Sequence, residues 1–136
     1  MPYRNLTLTA AQRAQMVTHV QRHAPEEACG LLAGTGGRVT QVYVTENLLH
    51  SPVAYEMDPT QQVAAMLALE AAGWDLCGIF HSHPAGPPVP SATDLAQSYY
   101  PDAVYVILAP NGSEWGLRGF SLASGRAEEV PLLAAE

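Results

Sequence analysis

The stretch GIFHSHPAGPPVPSATDL, residues 78–95, contains two histidines separated by one residue, followed by a serine and an aspartate. The apolar residues that precede the histidines predict a buried strand. Because side chains at positions i and i+2 of a strand point to the same face, the imidazoles of His81 and His83 should leave the strand end together. Seven residues separate His83 from Ser91, and Asp94 follows three positions later.

Two imidazoles and one carboxylate are a ligand set that suits zinc and leaves its fourth position open. Structural zinc sites use four protein ligands, whereas catalytic sites keep one position for water or substrate. His81, His83 and Asp94 therefore predict a catalytic metal site. The expected chemistry is that of a metallohydrolase.

The composition predicts one globular domain that spans residues 1–136, because 48% of the residues are hydrophobic and only 14% are charged. The net charge of -7 argues against a nucleic-acid partner, which needs a basic surface. Residues 1–5 do not open a signal peptide, and no apolar run reaches the ~20 residues of a membrane span. We expect a cytoplasmic protein without membrane contacts.

Helix signals occur in two places before the histidines. Thr9 is a candidate N-cap for a helix that ends before Pro25. Asp58 is a candidate N-cap for a second helix with Pro59 at its first position, which Gly73 ends. The first helix carries His19 and His23 at the spacing of the H-E-x-x-H zinc motif, but its glutamate is missing, so a solvated helix face is expected there.

The remaining pattern is rich in β-structure and turns. Residues 84–90 contain four prolines and predict a stiff extended connection, and residues 91–100 predict a third helix. The order of elements predicts an α+β fold, with a mixed, mostly antiparallel sheet packed by two to three helices. The predicted strands are residues 28–33, 38–45, 75–80, 103–109, 114–122 and 127–132.

The sequence H-S-H at residues 81–83, followed by Ser91 and Asp94, resembles the pattern H-[ST]-H-x7-S-x2-D of the JAMM (MPN-plus, JAB) zinc metallopeptidases. The family's pattern also needs an upstream glutamate, and Glu27 is its counterpart because it lies two residues before a Cys-Gly pair. The chain resembles the short prokaryotic type and lacks the insertions of eukaryotic deubiquitinating members.

Membership of this family implies a cytidine-deaminase-like α/β sandwich that binds one zinc ion per chain. The resemblance assigns metal ligation to His81, His83 and Asp94. It implies that Glu27 is the general base and that Ser91 donates a hydrogen bond to the developing oxyanion.

Two of these residues also have a structural interpretation. Ser91 and Asp94 have the spacing of a helix capping box, in which they satisfy backbone groups of the first turn. Both interpretations hold together if the cap aims Asp94 at the metal. Cys29 is a candidate nucleophile by residue type, but no base is evident for it, and its apolar neighbours suggest a buried thiol.

Short prokaryotic members of the family are linked to ubiquitin-like sulfur-carrier proteins with Gly-Gly tails. The resemblance therefore implies a peptidase or isopeptidase that hydrolyses an amide bond after such a tail. The alternatives are a non-catalytic MPN-type interaction module and a zinc amidohydrolase acting on a small molecule. The carrier, the type of scissile bond and the choice between monomer and homodimer stay open.

Overall fold

A computed structural model describes residues 3–135. Within this range eight strands and three helices follow one another in α+β order, as predicted. Their bounds are β1 (Leu6–Leu8), α1 (Ala10–His23), β2 (Cys29–Thr35), β3 (Arg38–Thr45), α2 (Pro59–Ala71), β4 (Asp75–Ser82), α3 (Ala92–Ala96), β5 (Val104–Asn111), β6 (Glu114–Ser121), β7 (Glu128–Val130) and β8 (Leu132–Ala134).

The strands form one mixed sheet in the order β7-β6-β5-β4-β2-β3-β1-β8. The longer ladders, β2 with β3, β2 with β4 and β5 with β6, are antiparallel, and β4 pairs with β5 in parallel. The prediction of a mixed sheet with mostly antiparallel pairing is confirmed.

Side chains alternate between two apolar clusters along the central strands. In β5, Val104 and Val106 belong to the cluster that contains Met16 of α1. Tyr105 and Ile107 belong to the cluster that contains Ala65 of α2. The sheet is therefore covered by helices on both faces, and burial on both faces explains why β5 is a continuous apolar run.

The predicted last strand, residues 127–132, is wrong, because the chain forms two strands there. Pro131 separates β7 from β8, and these strands lie at opposite ends of the strand order. A proline has no N–H with which to continue a ladder. Its carbonyl instead accepts from the N–H of Leu6 at 3.0 Å, so β8 begins beside β1. The sheet curls, and its two ends approach each other at Pro131.

The helix starts were predicted correctly. The side chain of Thr9 accepts from the N–H of Gln12 in a reciprocal capping box, and Asp58 accepts from the N–H groups of Thr60 and Gln61. Aspartate, serine and threonine at this position satisfy donors that have no partner inside the helix.

The third helix is shorter than predicted, since it ends at Ala96 instead of near residue 100. The hydroxyl of Ser98 donates to the carbonyl of Leu95 at 2.9 Å. The N–H of Tyr100 donates to the hydroxyl of Tyr105 at 3.3 Å instead of to a helical carbonyl. Contacts with β5 therefore replace the helical hydrogen bonds in this segment.

The extended connection predicted for residues 84–90 is also wrong, because the chain turns directly after the histidines. The N–H of Gly86 donates to the carbonyl of His83 at 2.8 Å. Gly86 has a φ of +69°, which side chains disfavour. This turn brings the proline-rich segment back over His83.

The solvated face predicted for α1 is wrong at His19, which is buried. Its Nε2 lies 3.0 Å from the carbonyl oxygen of Cys29 and 3.1 Å from that of Thr45. An Nε2–H group shared by two carbonyls satisfies the buried ring and attaches α1 to β2 and β3. Among residues 3–135, none of the helices has the length and apolar character needed to cross a membrane.

We predict that Gly30→Ala destabilises the protein through its β2 position. A Cβ atom at Gly30 would overlap the ring of Phe80 and the carbonyl oxygen of Tyr43. Overpacking of this kind costs about 1–3 kcal/mol or more. Urea unfolding should show this loss for Gly30→Ala and a smaller one for Gly116→Ala, whose Cβ would come no closer than 3.3 Å to its nearest neighbour, the Asn111 side chain. Equal losses would contradict the packing described here.

Candidate active site

Strand pairing places the first histidine. His81 lies in β4 opposite Cys29 of β2 and Ile107 of β5, and it is 1% exposed. His83 follows the end of β4, where its N–H donates to the carbonyl of Leu108 at 2.8 Å. Both imidazoles are therefore buried at the end of a central strand. The prediction that they leave the strand end together is confirmed.

Ser82, between the two histidines, joins β4 to the residue that follows Glu27. The N–H of Ser82 donates to the carbonyl of Ala28, and the Ser82 hydroxyl accepts from the N–H of Ala28, each at 2.9 Å. Glu27 is thereby held beside the histidines and is 3% exposed. One oxygen of its carboxylate and one nitrogen of each imidazole lie within 4.8 Å of one another.

The first turn of α3 carries Asp94 to the same place. The side chain of Ser91 accepts from the N–H of Asp94 at 3.1 Å, and Asp94 Oδ2 accepts from the N–H of Ser91 at 2.8 Å. The capping box is therefore present. Asp94 Oδ1 lies 3.2 Å from His81 Nε2, and Asp94 Oδ2 lies 3.1 Å from His83 Nε2.

The three predicted ligands surround a common point, because the two Nε2 atoms of His81 and His83 are 3.0 Å apart. Ligands of tetrahedral zinc, at about 2.0–2.2 Å from the metal, are separated from one another by roughly 3.3 Å. The observed separations are close to that value, so the donor set fits zinc. The second carboxylate, that of Glu27, lies beside the two imidazoles without contacting Asp94.

Hydrogen bonding also indicates a cation between these groups. His83 Nδ1 lies 2.8 Å from the carbonyl oxygen of Pro87, and this ring nitrogen must be the donor because a carbonyl only accepts. In the neutral ring, Nε2 then presents a lone pair to the carboxylate of Asp94. Two acceptors at 3.1 Å need a proton or a metal ion between them.

A cavity of about 400 Å³ opens beside Asp94. Its walls come from the central strands, α2, the segment after α3 and the residues that precede α2. The lining residues are Leu31, Leu49, Tyr55, Glu56, Met57, Pro59, Gln62, Ile79, Asp94, Gln97, Tyr99, Tyr100 and Tyr105. The charged side chains in this set are acidic, so the cleft suits a neutral or cationic segment better than an anionic one.

The family model for prokaryotic homologs of the JAB domain matches residues 9–118, which include every predicted site residue. This chain belongs to the prokaryotic JAB family. It is 41% identical over 114 residues to a protein named desampylase from Haloferax volcanii, covering 79% of this chain and 82% of that protein. It is 36% identical over 126 residues to the CysO-cysteine peptidase of Mycobacterium tuberculosis, covering 89% and 85%.

A solved structure has the same fold. The solution structure of a protein from Desulfitobacterium hafniense is 34% identical, has a TM-score of 0.85, and is matched over 96% of this chain and 93% of that one. The predicted family, α+β fold and peptidase class are confirmed by these matches. The chain is a prokaryotic JAB metallopeptidase.

Burial and mutual contacts change the acid–base properties of this JAB site. Burial raises the pKa of Glu27 to about 7, and burial likewise lowers the pKa of His81. Burial opposes the charged forms of His83 and Asp94, but their mutual hydrogen bond outweighs it. The pKa of His83 is raised, and the contacts with both imidazoles hold the pKa of Asp94 well below its usual range.

Cys29 is unsuited to be a nucleophile in this JAB site. Its thiol lies 3.4 Å from the Thr45 hydroxyl, and burial raises the pKa of Cys29 to about 11. The thiolate, which is the reactive form, is therefore disfavoured. The expectation of a buried thiol is confirmed.

Two further residues belong to the site and were not predicted from the sequence. The ring of Tyr55 stacks on His81 with a centroid distance of 4.7 Å and an interplanar angle of 29°. Asn47 is 4% exposed and donates to the carbonyl of Glu27 at 3.0 Å. Neither Tyr55 nor Asn47 belongs to a local sequence pattern. An asparagine in a predicted loop is expected to be exposed, so the sequence does not indicate that Asn47 is buried.

We predict a pH-dependent effect of Glu27→Gln on the metal-free protein. The pKa of Glu27 is raised from 4.5 to about 7 in the folded protein. The proton on Glu27 is bound more tightly in the folded than in the unfolded protein, and this difference contributes to the free energy of unfolding. The contribution is fully present below about pH 4.5 and is lost as the pH rises through about 7. Glu27→Gln cannot ionise, so its advantage over wild type in the free energy of unfolding should grow with pH, by up to about 3 kcal/mol.

Urea unfolding in a chelating buffer between about pH 5 and about pH 8 measures this difference. An advantage that stays constant across the range would show that Glu27 ionises normally in the folded protein.

Proposed function

We propose that this protein is a zinc-dependent peptidase or isopeptidase that hydrolyses the amide bond after the C-terminal tail of a ubiquitin-like or sulfur-carrier protein. One observation carries the proposal: His81, His83 and Asp94 converge on a single point beside the buried carboxylate of Glu27. Metal ligands with an adjacent general base are the groups that a metal-dependent hydrolase needs to activate water.

His81, His83 and Asp94 would hold one zinc ion per chain. A bound zinc ion supplies Lewis acidity, which polarises a carbonyl and lowers the pKa of water. The protein's contribution is a fixed set of donors. The Pro87 carbonyl fixes the tautomer of His83, and the capping box fixes the carboxylate of Asp94.

Glu27 is assigned as the general base. It accepts the proton of the attacking water and later delivers it to the departing amine. A general base works best when its pKa is near the operating pH, and the burial of Glu27 raises its pKa to about 7. Its Oε1 atom is buried and has no hydrogen-bond partner in the described part of the chain, so it is free to bond a water.

Ser91 is assigned as a donor to the oxyanion. Its oxygen accepts from the N–H of Asp94, which leaves the hydroxyl proton available, and the residue is exposed. A donor aimed at the developing charge stabilises the transition state more than the ground state.

The cleft beside Asp94 supports an extended substrate. Its apolar and tyrosine walls can contact a peptide segment, and its acidic residues disfavour an anionic one. The relatives are named as a desampylase and as a peptidase acting on CysO-cysteine. A carrier tail that ends in Gly-Gly would place no side chain next to the scissile carbonyl.

The alternatives account for less of the site. A non-catalytic MPN-type module has no use for a complete donor set with a buried base. A small-molecule amidohydrolase would need little of a cleft that extends from Asp94 to Pro59. We further propose that residues 1–136 form a single metallopeptidase domain, that the protein acts in the cytoplasm, and that a homodimer is one of its two candidate states.

The decisive experiment incubates the zinc-loaded protein with carrier proteins extended beyond Gly-Gly, either by a peptide, by a lysine isopeptide or by a single amino acid. Mass spectrometry should show release of the extension. Glu27→Gln should keep zinc but lose at least about 100-fold in kcat, because the proton acceptor is gone. His83→Ala should lose both zinc and activity.

Zinc content of each variant is measured by metal analysis, and the wild type in chelator is the control. Cleavage by Glu27→Gln at near the wild-type rate would reject Glu27 as the base. Stoichiometric zinc without cleavage of any extended carrier would favour the binding-module alternative.

Ser91→Ala tests the oxyanion role separately from the cap. Loss of one oxyanion donor should lower kcat by about 100- to 1000-fold. Loss of a cap alone costs about 1 kcal/mol of stability. Thr9→Ala removes the equivalent capping box of α1, so it should show the stability loss without the loss of kcat. If both variants kept their kcat, Ser91 would be a cap only.

A further inference from the structure

We propose that Asn47 is a positioning residue that fixes both Glu27 and His81, and that it acts on His81 through the ring of Tyr55. The proposal rests on the proposed function for the roles of Glu27 and His81. The segment involved, residues 47–57, is called the Asn47 loop below.

Asn47 uses its full hydrogen-bonding capacity inside the protein. Its Nδ2 donates to the carbonyls of Glu27 and Ala54, both at 3.0 Å. Its Oδ1 accepts from the N–H groups of Leu49 and Glu56, both at 3.0 Å. An amide side chain has two donors and two acceptor lone pairs, so each is matched once. Such a saturated, buried side chain holds its partners in one arrangement.

The first group that Asn47 holds is the backbone of Glu27. This residue precedes β2 and makes no ladder hydrogen bonds of its own. Its carbonyl is bonded by Asn47, and its N–H donates to the carbonyl of Ser51 at 2.8 Å. Both main-chain groups of Glu27 are therefore bonded to the Asn47 loop.

The second group is Tyr55, because Asn47 bonds the residues on either side of it. Ala54 supplies a carbonyl and Glu56 an N–H, so the backbone around Tyr55 is held from both directions. The Tyr55 ring stacks on the imidazole of His81 at 4.7 Å between centroids. Asn47 thus sets where this ring lies.

The stacking matters because His81 lacks the usual second hydrogen bond. A histidine that binds a metal commonly donates from its other ring nitrogen, as His83 does to Pro87 at 2.8 Å. In contrast, His81 Nδ1 is buried and has no partner among the described residues. The plane of the His81 ring is set by packing against Tyr55 in place of a hydrogen bond.

The isosteric variant Asn47→Asp tests this role most sharply. It keeps the shape and the acceptor oxygen but loses both donors, so the carbonyls of Glu27 and Ala54 would face a carboxylate. Tyr55→Leu removes the stacked ring without touching Asn47, and Tyr55→Phe keeps the ring. Leu69→Ala, in the buried face of α2, is the control for a general loss of stability.

Two readouts do not depend on catalysis. Competition with a chelator measures zinc affinity, which should fall about tenfold or more in Asn47→Asp and Tyr55→Leu. It should stay within about twofold of wild type in Tyr55→Phe and Leu69→Ala. In the metal-free protein, NMR should show the His81 ring protons losing the ring-current shift caused by Tyr55 in Asn47→Asp and Tyr55→Leu alone.

With a cleavable carrier, Asn47→Asp should also lower kcat about 100-fold with little change in KM, because Glu27 is displaced from its water. Unchanged zinc affinity and unchanged His81 resonances in Asn47→Asp would overturn the proposal. If the wild type cleaves no carrier, the proposed function fails, whereas zinc affinity and NMR still decide the role of Asn47. If it binds no zinc, the NMR comparison decides alone.

Discussion

The site depends on the antiparallel register between β2 and β4. This register sets Cys29 opposite His81, and Ser82 fastens it at the end by bonding Ala28, 54 residues away in the chain. A slip of one residue would turn the His81 side chain to the opposite face of the sheet, into the apolar cluster around Phe80. One strand pairing thus brings the candidate base and the candidate ligands together, and α3 needs only its first turn to add Asp94.

Without a bound cation, the same arrangement lowers the stability of the folded protein. Two imidazoles and two carboxylates lie together with little exposure to solvent, where unpaired charges are costly. The low pKa of Asp94 and the raised pKa of His83 show that these two groups stabilise each other, while Glu27 is left as an acid that resists ionisation. Burial therefore makes Glu27 a base that holds its proton near neutral pH. The hydrogen bonds to the two imidazoles act against burial and keep Asp94 charged, so the donor cluster can attract a cation.

The sequence predicted the parts of the site that local spacing determines. Alternation along a strand placed His81 and His83, and the spacing of a capping box placed Ser91 and Asp94. The family pattern placed Glu27. The failures have a common reason, since tertiary contacts decide them: Pro131 splits the last strand, contacts with β5 shorten α3, and two carbonyls of the sheet bury His19. Asn47 and Tyr55 were missed because their importance lies in the residues they meet from other segments.

The two histidine rings are oriented by different contacts, one from a nearby residue in the chain and one from a distant loop. Sequence changes in these two places should therefore affect the site differently. His83 is held by the carbonyl of Pro87, four residues away, so its geometry belongs to the motif and its turn. His81 is held by Tyr55, from a loop that also lines the cleft through Leu49, Glu56 and Met57. A change in the Asn47 loop that alters the cleft will therefore also alter the environment of His81 and Glu27. The loop thus contacts both the cleft and the residues beside the candidate metal position, whereas the turn after His83 contacts that ligand through the Pro87 carbonyl.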